Sequence, residues 1–161
     1  MAIDNLTDQR IGELIDCAKI VQRPNVRSKI EGKHERRDIA VRSVDDEHEF
    51  ILFTRQSILL SNGFTAGLRW KSKSGEEIIL LRCNGSDHEH MNAIERQRFA
   101  DTCHVHRATE RYAVAGRRVE TFAVVDSSYR TLGGALHRLV EIAHISGLDT
   151  QPDEHDLFSA P

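Results

Sequence analysis

Apolar and polar positions follow two different periods along the chain, and the period changes twice. Near the N-terminus apolar residues recur at the spacing of an amphipathic helix, at Ile11, Leu14, Ile15, Ala18 and Val21. Thr7 is suited to cap this helix, and Pro24 is expected to end it. The pattern therefore predicts an N-terminal helix.

From about residue 37 to residue 125 the period becomes two, which is typical of β-strands. Six short runs show it: Asp38 to Val44, Glu49 to Arg55, Phe64 to Lys71, Glu76 to Asn84, Thr102 to Ala108 and Val119 to Val125. The segment from Ser72 to Gly75 contains turn-forming residues, so the third and fourth runs are predicted to form a hairpin.

Helical spacing returns near the C-terminus, at Leu132, Ala135, Leu136, Leu139, Ile142 and Ala143. Ser127 or Ser128 is expected to cap this helix, and Gly147 is expected to end it. A helix, about six antiparallel strands and a second helix predict an α+β fold in which both helices cover one face of the sheet.

The composition is that of one ordinary globular domain of 161 residues, predicted to span residues 1–148. Residues 149–161 are predicted to form a loosely ordered tail, because they contain four acidic residues and no Lys or Arg. Removing these four negative charges from the net charge of −3 leaves +1 on residues 1–148. Apolar runs are far shorter than the roughly 20 residues of a membrane span, and the first residues lack a signal pattern. We therefore expect a cytoplasmic protein without a membrane partner.

Basic residues are concentrated between Lys19 and Arg42, where eight of them face only three acidic residues. Such a surplus is a candidate surface for RNA, and we name this segment the basic stretch. A run of charges is also common on surfaces that only contact solvent, so both interpretations stay open.

Histidine is the one unusual feature of the composition, with nine residues. Four of them form two His-x-His pairs, His88-Glu89-His90 and His104-Val105-His106. Because residues two apart in a strand point to the same face, each pair presents two imidazoles side by side. If the pairs lie on neighbouring elements, the four imidazoles and Glu95 meet on one surface. The other five, at positions 34, 48, 137, 144 and 155, are predicted to be ordinary surface or helix-border residues.

One chemistry that fits such a surface is metal binding. Neutral imidazole is the commonest nitrogen ligand of zinc and of other transition metals, and the metal ligands would be His88, His90, His104, His106 and Glu95. The run from His88 to Glu95 resembles the HxHxxxxE spacing of cupin metal sites, although the flanking cupin glycines and a PxG segment with a downstream histidine are missing. The three cysteines show no CxxC spacing, so they do not point to a thiolate zinc site.

The second chemistry is cleavage of RNA without a metal, in which histidines act as general base and general acid. The candidate catalytic histidines are His90, His104 and His106. Arg107 and Arg111 are of the right type to hold the charged transition state, and Tyr112 to orient a proton. A third interpretation is that the imidazoles only bind backbone carbonyls and structure a polar loop, which would favour a non-enzymatic interaction module.

The segments that carry these residues resemble a family of small bacterial proteins without an assigned activity. That family shows a His-x-Asn, a His-x-His and a Glu-x-Tyr step in this order between two terminal helices. On this chain the steps fall within residues 78–145, on His90 and Asn92, His104 and His106, and Glu110 and Tyr112. The genomic settings of the family resemble those of toxin–antitoxin or mobile-element modules. The resemblance implies an RNA-directed activity and an antitoxin-like protein partner, so the leading hypothesis is a toxin-like, metal-independent ribonuclease.

Overall fold

The protein, described over residues 6–154 by a computed structural model, has a mixed α+β fold. Its elements in chain order are α1 (Asp8–Asp16), β1 (Lys19–Val21), β2 (Lys29–Glu31), β3 (His34–Ser43), β4 (Glu49–Ser57), β5 (Phe64–Lys71), β6 (Glu77–Asn84), β7 (His90–Asn92), β8 (Gln97–Phe99), β9 (His104–Arg107), α2 (Glu110–Val114), β10 (Ala123–Val125), α3 (Leu132–Ala143) and β11 (Ile145–Ser146).

Nine strands form one open sheet in the order β10, β9, β6, β5, β4, β3, β1, β11, with β2 paired to β3. All of these pairs are antiparallel except that of β1 with β11. The predicted α+β class and antiparallel sheet are confirmed, and the predicted count of six strands is too low. Each of the missed sheet strands, β1, β2 and β11, has only two or three residues, which is too short to show a period of two.

The predicted helix limits are partly wrong. α1 ends at Asp16, so Ala18 and Val21 lie beyond it. Val21 instead pairs with Val41 in the sheet, where its backbone gains strand hydrogen bonds. α3 begins later than predicted, since its cap is Thr131, whose hydroxyl accepts from the Gly134 amide. It also ends earlier, at Ala143, before a left-handed residue.

The core lies between the sheet and the helices. α3 contacts β4, β5 and β6, and α1 contacts α3. Buried apolar side chains of both helices and of strands β3 to β6 belong to one cluster, which includes Ile15, Leu52, Leu68 and Leu139. That both helices cover a single face of the sheet stays a prediction.

The first part of the predicted tail makes defined contacts with α3. The Asp153 carboxylate accepts from the Thr131 amide at 3.1 Å and from the Arg130 amide, and the His137 ring is 3.0 Å from the Thr150 hydroxyl. Residues 155–161, including the histidine at position 155, lie outside the described residues, so the domain boundary at residue 148 stays a prediction. None of the helices within residues 6–154 is long and apolar enough to span a bilayer.

Candidate functional site

The His104-Val105-His106 pair lies on β9, between β6 and β10. His104 is opposite Asn84 of β6, and His106 is opposite Arg82. The two histidines share one face of the strand, as alternation predicts, while Val105 packs against the core on the other face. We name the sheet face that carries His104 and His106 the histidine face.

The hairpin of β7 and β8 brings the second pair onto these two histidines. The His90 ring centroid lies 5.5 Å from that of His104 and 4.6 Å from that of His106. The His88 centroid is 5.0 Å from that of His104, and Phe99 of β8 is 5.2 Å from the same ring. The structure therefore brings all four imidazoles of the two pairs together, and we name them the histidine cluster.

His104 and His106 form the buried half of the cluster and are fixed by backbone carbonyls. His104 Nδ1 donates to the Thr102 carbonyl at 3.0 Å, and His106 Nδ1 donates to the carbonyls of Glu120 and Thr121 at 3.0 and 3.1 Å. A carbonyl only accepts, so Nδ1 carries the proton in both rings. His104 Nε2 is buried without a hydrogen-bond partner.

Burial also sets the charge of these two rings. Desolvation lowers the pKa of His104 to about 4. Desolvation, and after it the positive charge of Arg82, lowers the pKa of His106 to about 3. Both imidazoles are therefore neutral near pH 7 and are poorly suited to donate a proton to a substrate.

His90 is half-buried and is oriented by Asn92. The Asn92 side-chain oxygen lies 2.9 Å from His90 Nε2 and accepts from the Ala123 amide, also at 2.9 Å, while its nitrogen donates to the Ala123 carbonyl at 2.7 Å. Because the Ala123 amide can only donate, the oxygen of Asn92 must face it, and His90 Nε2 is therefore the donor. Asn92 thus joins the hairpin to β10 and leaves His90 Nδ1 free.

His88 is the exposed imidazole of the cluster. Its Nδ1 lies 2.8 Å from a carboxylate oxygen of Asp87, which orients the ring and leaves Nε2 free. His88 and His90 are thus the cluster histidines that a substrate can reach. Sequence reasoning did not single out Asp87, whose signal is its position directly before the first His-x-His pair.

Glu95, Arg111 and Tyr112 form a separate group at the turn of the hairpin. Arg111 Nε and the Tyr112 hydroxyl donate to the two oxygens of Glu95 at 3.1 and 3.0 Å. The Tyr112 hydroxyl also accepts from the Ile94 amide at 3.2 Å, and burial raises the pKa of this buried phenol. The group holds the turn of the hairpin against α2, and both oxygens of Glu95 are engaged there. Glu110, which the resemblance selected, instead donates its amide to the carboxylate of Asp8, the first residue of α1.

The arginine next to His106 on the histidine face is not the one that the sequence indicated. Arg107 follows His106 directly in β9, so it points to the other face, where it lines a groove of about 610 Å³ with Val105 and Ile142. Arg82 is opposite His106 on the histidine face, 3.9 Å from Glu120. The strand register, which depends on pairing with β9, was needed to find it.

The predicted metal ligands meet only in part. The four imidazoles are in ring contact, but Glu95 is bound elsewhere. Within residues 6–154, no group of three or more His, Cys, Asp or Glu side chains has an arrangement that could hold a metal ion. A metal would require the imidazole nitrogens to move relative to one another.

The basic stretch is not one continuous cationic surface. Lys19 is fully buried, and its Nζ donates to the carbonyls of Ile15, Cys17 and Ala143 at 2.7 to 2.8 Å, so it holds the ends of two helices and cannot contact RNA. Arg42 is paired with Asp46 and Glu49. A cavity of about 360 Å³ remains, lined by four basic side chains, Arg27, Lys29, Arg36 and Arg37, and by two carboxylates, Glu31 and Asp38, which both pair with Arg36.

No protein-family model, curated protein or solved structure matches the chain. The chemistry of the site is therefore drawn from its own residues. Two reachable imidazoles, each held through one nitrogen, lie over two buried neutral imidazoles and near an arginine. This set suits proton transfer next to an anionic substrate.

Proposed function

We propose that the protein is a small, toxin-like ribonuclease that cleaves RNA by histidine acid–base chemistry on the histidine face. One observation carries the proposal. His88 and His90 each have one ring nitrogen bound to a side-chain oxygen of Asp87 or Asn92, which leaves the other nitrogen for a substrate.

The histidines divide into two roles in this proposal. His88 and His90 exchange protons with the substrate, whereas His104 and His106 are positioning residues, because their rings are buried and bound to carbonyls. Their neutral state avoids charge repulsion beneath the two reachable imidazoles. Arg82 supplies positive charge on the same face, in the role that the sequence assigned to Arg107.

The RNA backbone would be held by side chains of the basic stretch that have no carboxylate partner within residues 6–154. Arg27, Lys29 and Arg37 line the same cavity and form no ion pair among the described residues. Phosphate contacts of this kind make affinity fall steeply with salt. We therefore expect Lys29→Ala to weaken RNA binding and to reduce its salt dependence.

The test is cleavage of a defined RNA by the full chain, in EDTA and in divalent cations. We expect His88→Ala and His90→Gln each to lose roughly 10² to 10⁴-fold in rate, the usual contribution of a general acid or base. His137→Gln is the matched control, because His137 lies on α3 and is bound to Thr150. Failure of the wild type to cleave RNA under both conditions would refute the proposal. Toxicity on expression in a bacterial host, relieved by a neighbouring gene product, would support the toxin-like role.

A metal-binding function is the second candidate, and the unpartnered Nε2 of His104 favours it. Histidines that bind metals usually donate their other ring N–H to a carbonyl or carboxylate, as His104, His106 and His88 do here. This function predicts about one transition metal per chain in purified protein, lost in His104→Gln. Metal-free protein whose melting temperature is the same with and without added zinc would contradict it.

A further inference from the structure

A row of polar side chains crosses the histidine face away from the cluster. Residues directly opposite one another in antiparallel strands share a face, and the register of five neighbouring strands aligns Arg36, Arg55, Thr65, Asn84 and His104. The Thr65 hydroxyl donates to the Asn84 side chain at 3.0 Å. The histidine cluster therefore continues across the sheet to arginines on β3 and β4.

A small cavity lies along this row, next to His88. Its volume is about 120 Å³, and its polar lining is His34, Arg55, Thr65, Asp87 and His88. Pockets for whole small molecules are commonly 300 Å³ or more, so this cavity is of a size for one small group.

The lining contains one arginine, which can pair with the negative charge of a phosphate diester. The Arg55 guanidinium has no hydrogen bond or ion pair with any of residues 6–154, so it is available to an anion. Asp87 is the one carboxylate of the lining, and its Oδ1 is bound to His88. A side chain at Gly63 would meet Asp87 Oδ2 at 3.0 Å, so the glycine lets the Asp87 and His88 pair approach the β4–β5 loop.

We propose that this cavity, which we name the phosphate cavity, holds the scissile phosphate of RNA between His88 and His34. This inference rests on the proposed ribonuclease function and deepens it. Arg55 binds the phosphate oxygens, and His34 is a proton-transfer group additional to His88 and His90, which protonates the leaving oxygen.

The reaction needs no further reactant. His88 Nε2 takes the proton of the 2′-hydroxyl, whose oxygen forms a bond to phosphorus. The bond from phosphorus to the 5′-oxygen breaks, and that oxygen takes a proton from the His34 imidazolium. The products are a 2′,3′-cyclic phosphate and a 5′-hydroxyl, and Asp87 is a positioning residue that acts through His88.

The first experiment titrates the full chain with inorganic phosphate and follows the ring signals of His34 and His88 by NMR. We expect both signals to shift saturably in the wild type and not in Arg55→Gln. Arg42→Gln is the matched control, because Arg42 is paired with Asp46 and Glu49 at the other end of β3. Unmoved signals, or equal shifts in Arg55→Gln, would overturn the phosphate cavity.

The second experiment compares cleavage of an RNA with that of the same sequence in DNA. We expect cleavage of RNA alone, with a 2′,3′-cyclic phosphate identified by mass spectrometry. His34→Gln should lose at least about 100-fold in kcat with little change in affinity for the DNA strand, and His137→Gln should match the wild type. Full activity of His34→Gln and Arg55→Gln in a protein that cleaves RNA would overturn the inference and leave the proposed function intact. Absence of cleavage by the wild type would refute the proposed function, while the phosphate titration judges the cavity separately.

Discussion

The two His-x-His pairs have the same pattern in the sequence and different surroundings in the structure. His104 and His106 lie within a strand, are fully or almost fully buried, and are bound to backbone carbonyls. His90 begins a short hairpin strand, His88 lies in the loop before it, and both are bound to side-chain oxygens. A buried pair fixed by the backbone provides a rigid base, and a reachable pair fixed by side chains can exchange protons. Under the proposed function, the buried pair positions the site and the reachable pair carries out the chemistry.

The largest expected effect is a loss of stability at low pH, caused by the buried pair His104 and His106. The pKa values of about 4 for His104 and about 3 for His106 lie below the ordinary histidine value near 6.5. Below pH 6.5 the unfolded chain takes up protons that the folded protein does not. The free energy of unfolding is therefore highest above pH 6.5 and falls with decreasing pH, until the folded protein also binds these protons, at His104 near pH 4 and at His106 near pH 3. We expect the free energy of unfolding to fall by about 4 kcal/mol between pH 7 and pH 5.

Urea denaturation at the two pH values measures this decline. In a double variant, His104→Gln with His106→Gln, most of the pH dependence in this window should disappear. Equal stability of the wild type at pH 7 and pH 5 would show that the two rings are not held neutral by burial.

The second effect concerns the connection of the hairpin to the sheet. Asn92→Leu keeps a similar side-chain volume but leaves the Ala123 amide and carbonyl without their partners. We expect a loss of about 2 to 3 kcal/mol in the free energy of unfolding, together with faster hydrogen exchange at the Ala123 amide. Asn25→Leu, at an exposed position, is the control and should change stability little. Slow exchange at Ala123 in the Asn92 variant would contradict the role given to this side chain.

A smaller effect distinguishes the two tyrosines that support the two histidine pairs. The buried Tyr129 hydroxyl donates to the carbonyls of Asn84 and His104, at 2.9 and 3.0 Å, and so supports β9, whereas the Tyr112 hydroxyl supports the hairpin through Glu95. Tyr129→Phe is expected to cost about 1 to 2 kcal/mol and to shift the NMR signals of His104. Tyr112→Phe should shift those of His90 instead. The reverse result would contradict this assignment of supports.

The smallest effect on stability is expected at the contact between Asp87 and His88. Asp87→Asn should change the free energy of unfolding by less than about 0.5 kcal/mol, because this pair is partly exposed to solvent. The same variant should move the pH–rate profile of RNA cleavage, since His88 loses the carboxylate that orients it. An unchanged profile in an active variant would show that the contact of Asp87 with His88 has no part in the chemistry.

Part of the site follows from local pattern. Alternation along a strand is enough to place His104 and His106 on one face and Val105 on the other. The same rule places Arg107 on the other face of β9 from the histidines. The prediction that Arg107 acts together with them relied on its nearness in sequence and neglected this alternation. The antiparallel sheet and the hairpin between β5 and β6 were likewise predictable, because their strands are long enough to show a period.

The rest of the site depends on contacts between distant segments. His34 gave no local signal, because it reaches the phosphate cavity through the pairing of β3 with β4 and of β4 with β5. Lys19 belonged to a basic run by composition, yet its burial depends on the ends of α1 and α3 meeting beside it. Neither burial nor cross-strand alignment can be derived from the order of residues within one element.

The sequence by itself determined the α+β class, the long strands, the shared face of the second histidine pair and the presence of four histidines within nineteen positions. These features depend on periods of a few residues, which local backbone geometry fixes. The tertiary structure alone decided which imidazoles are buried and neutral, which arginines share their face, and that Asn92 joins the hairpin to a strand thirty-one residues away. Those outcomes depend on register and on desolvation, and both arise only when the sheet has formed.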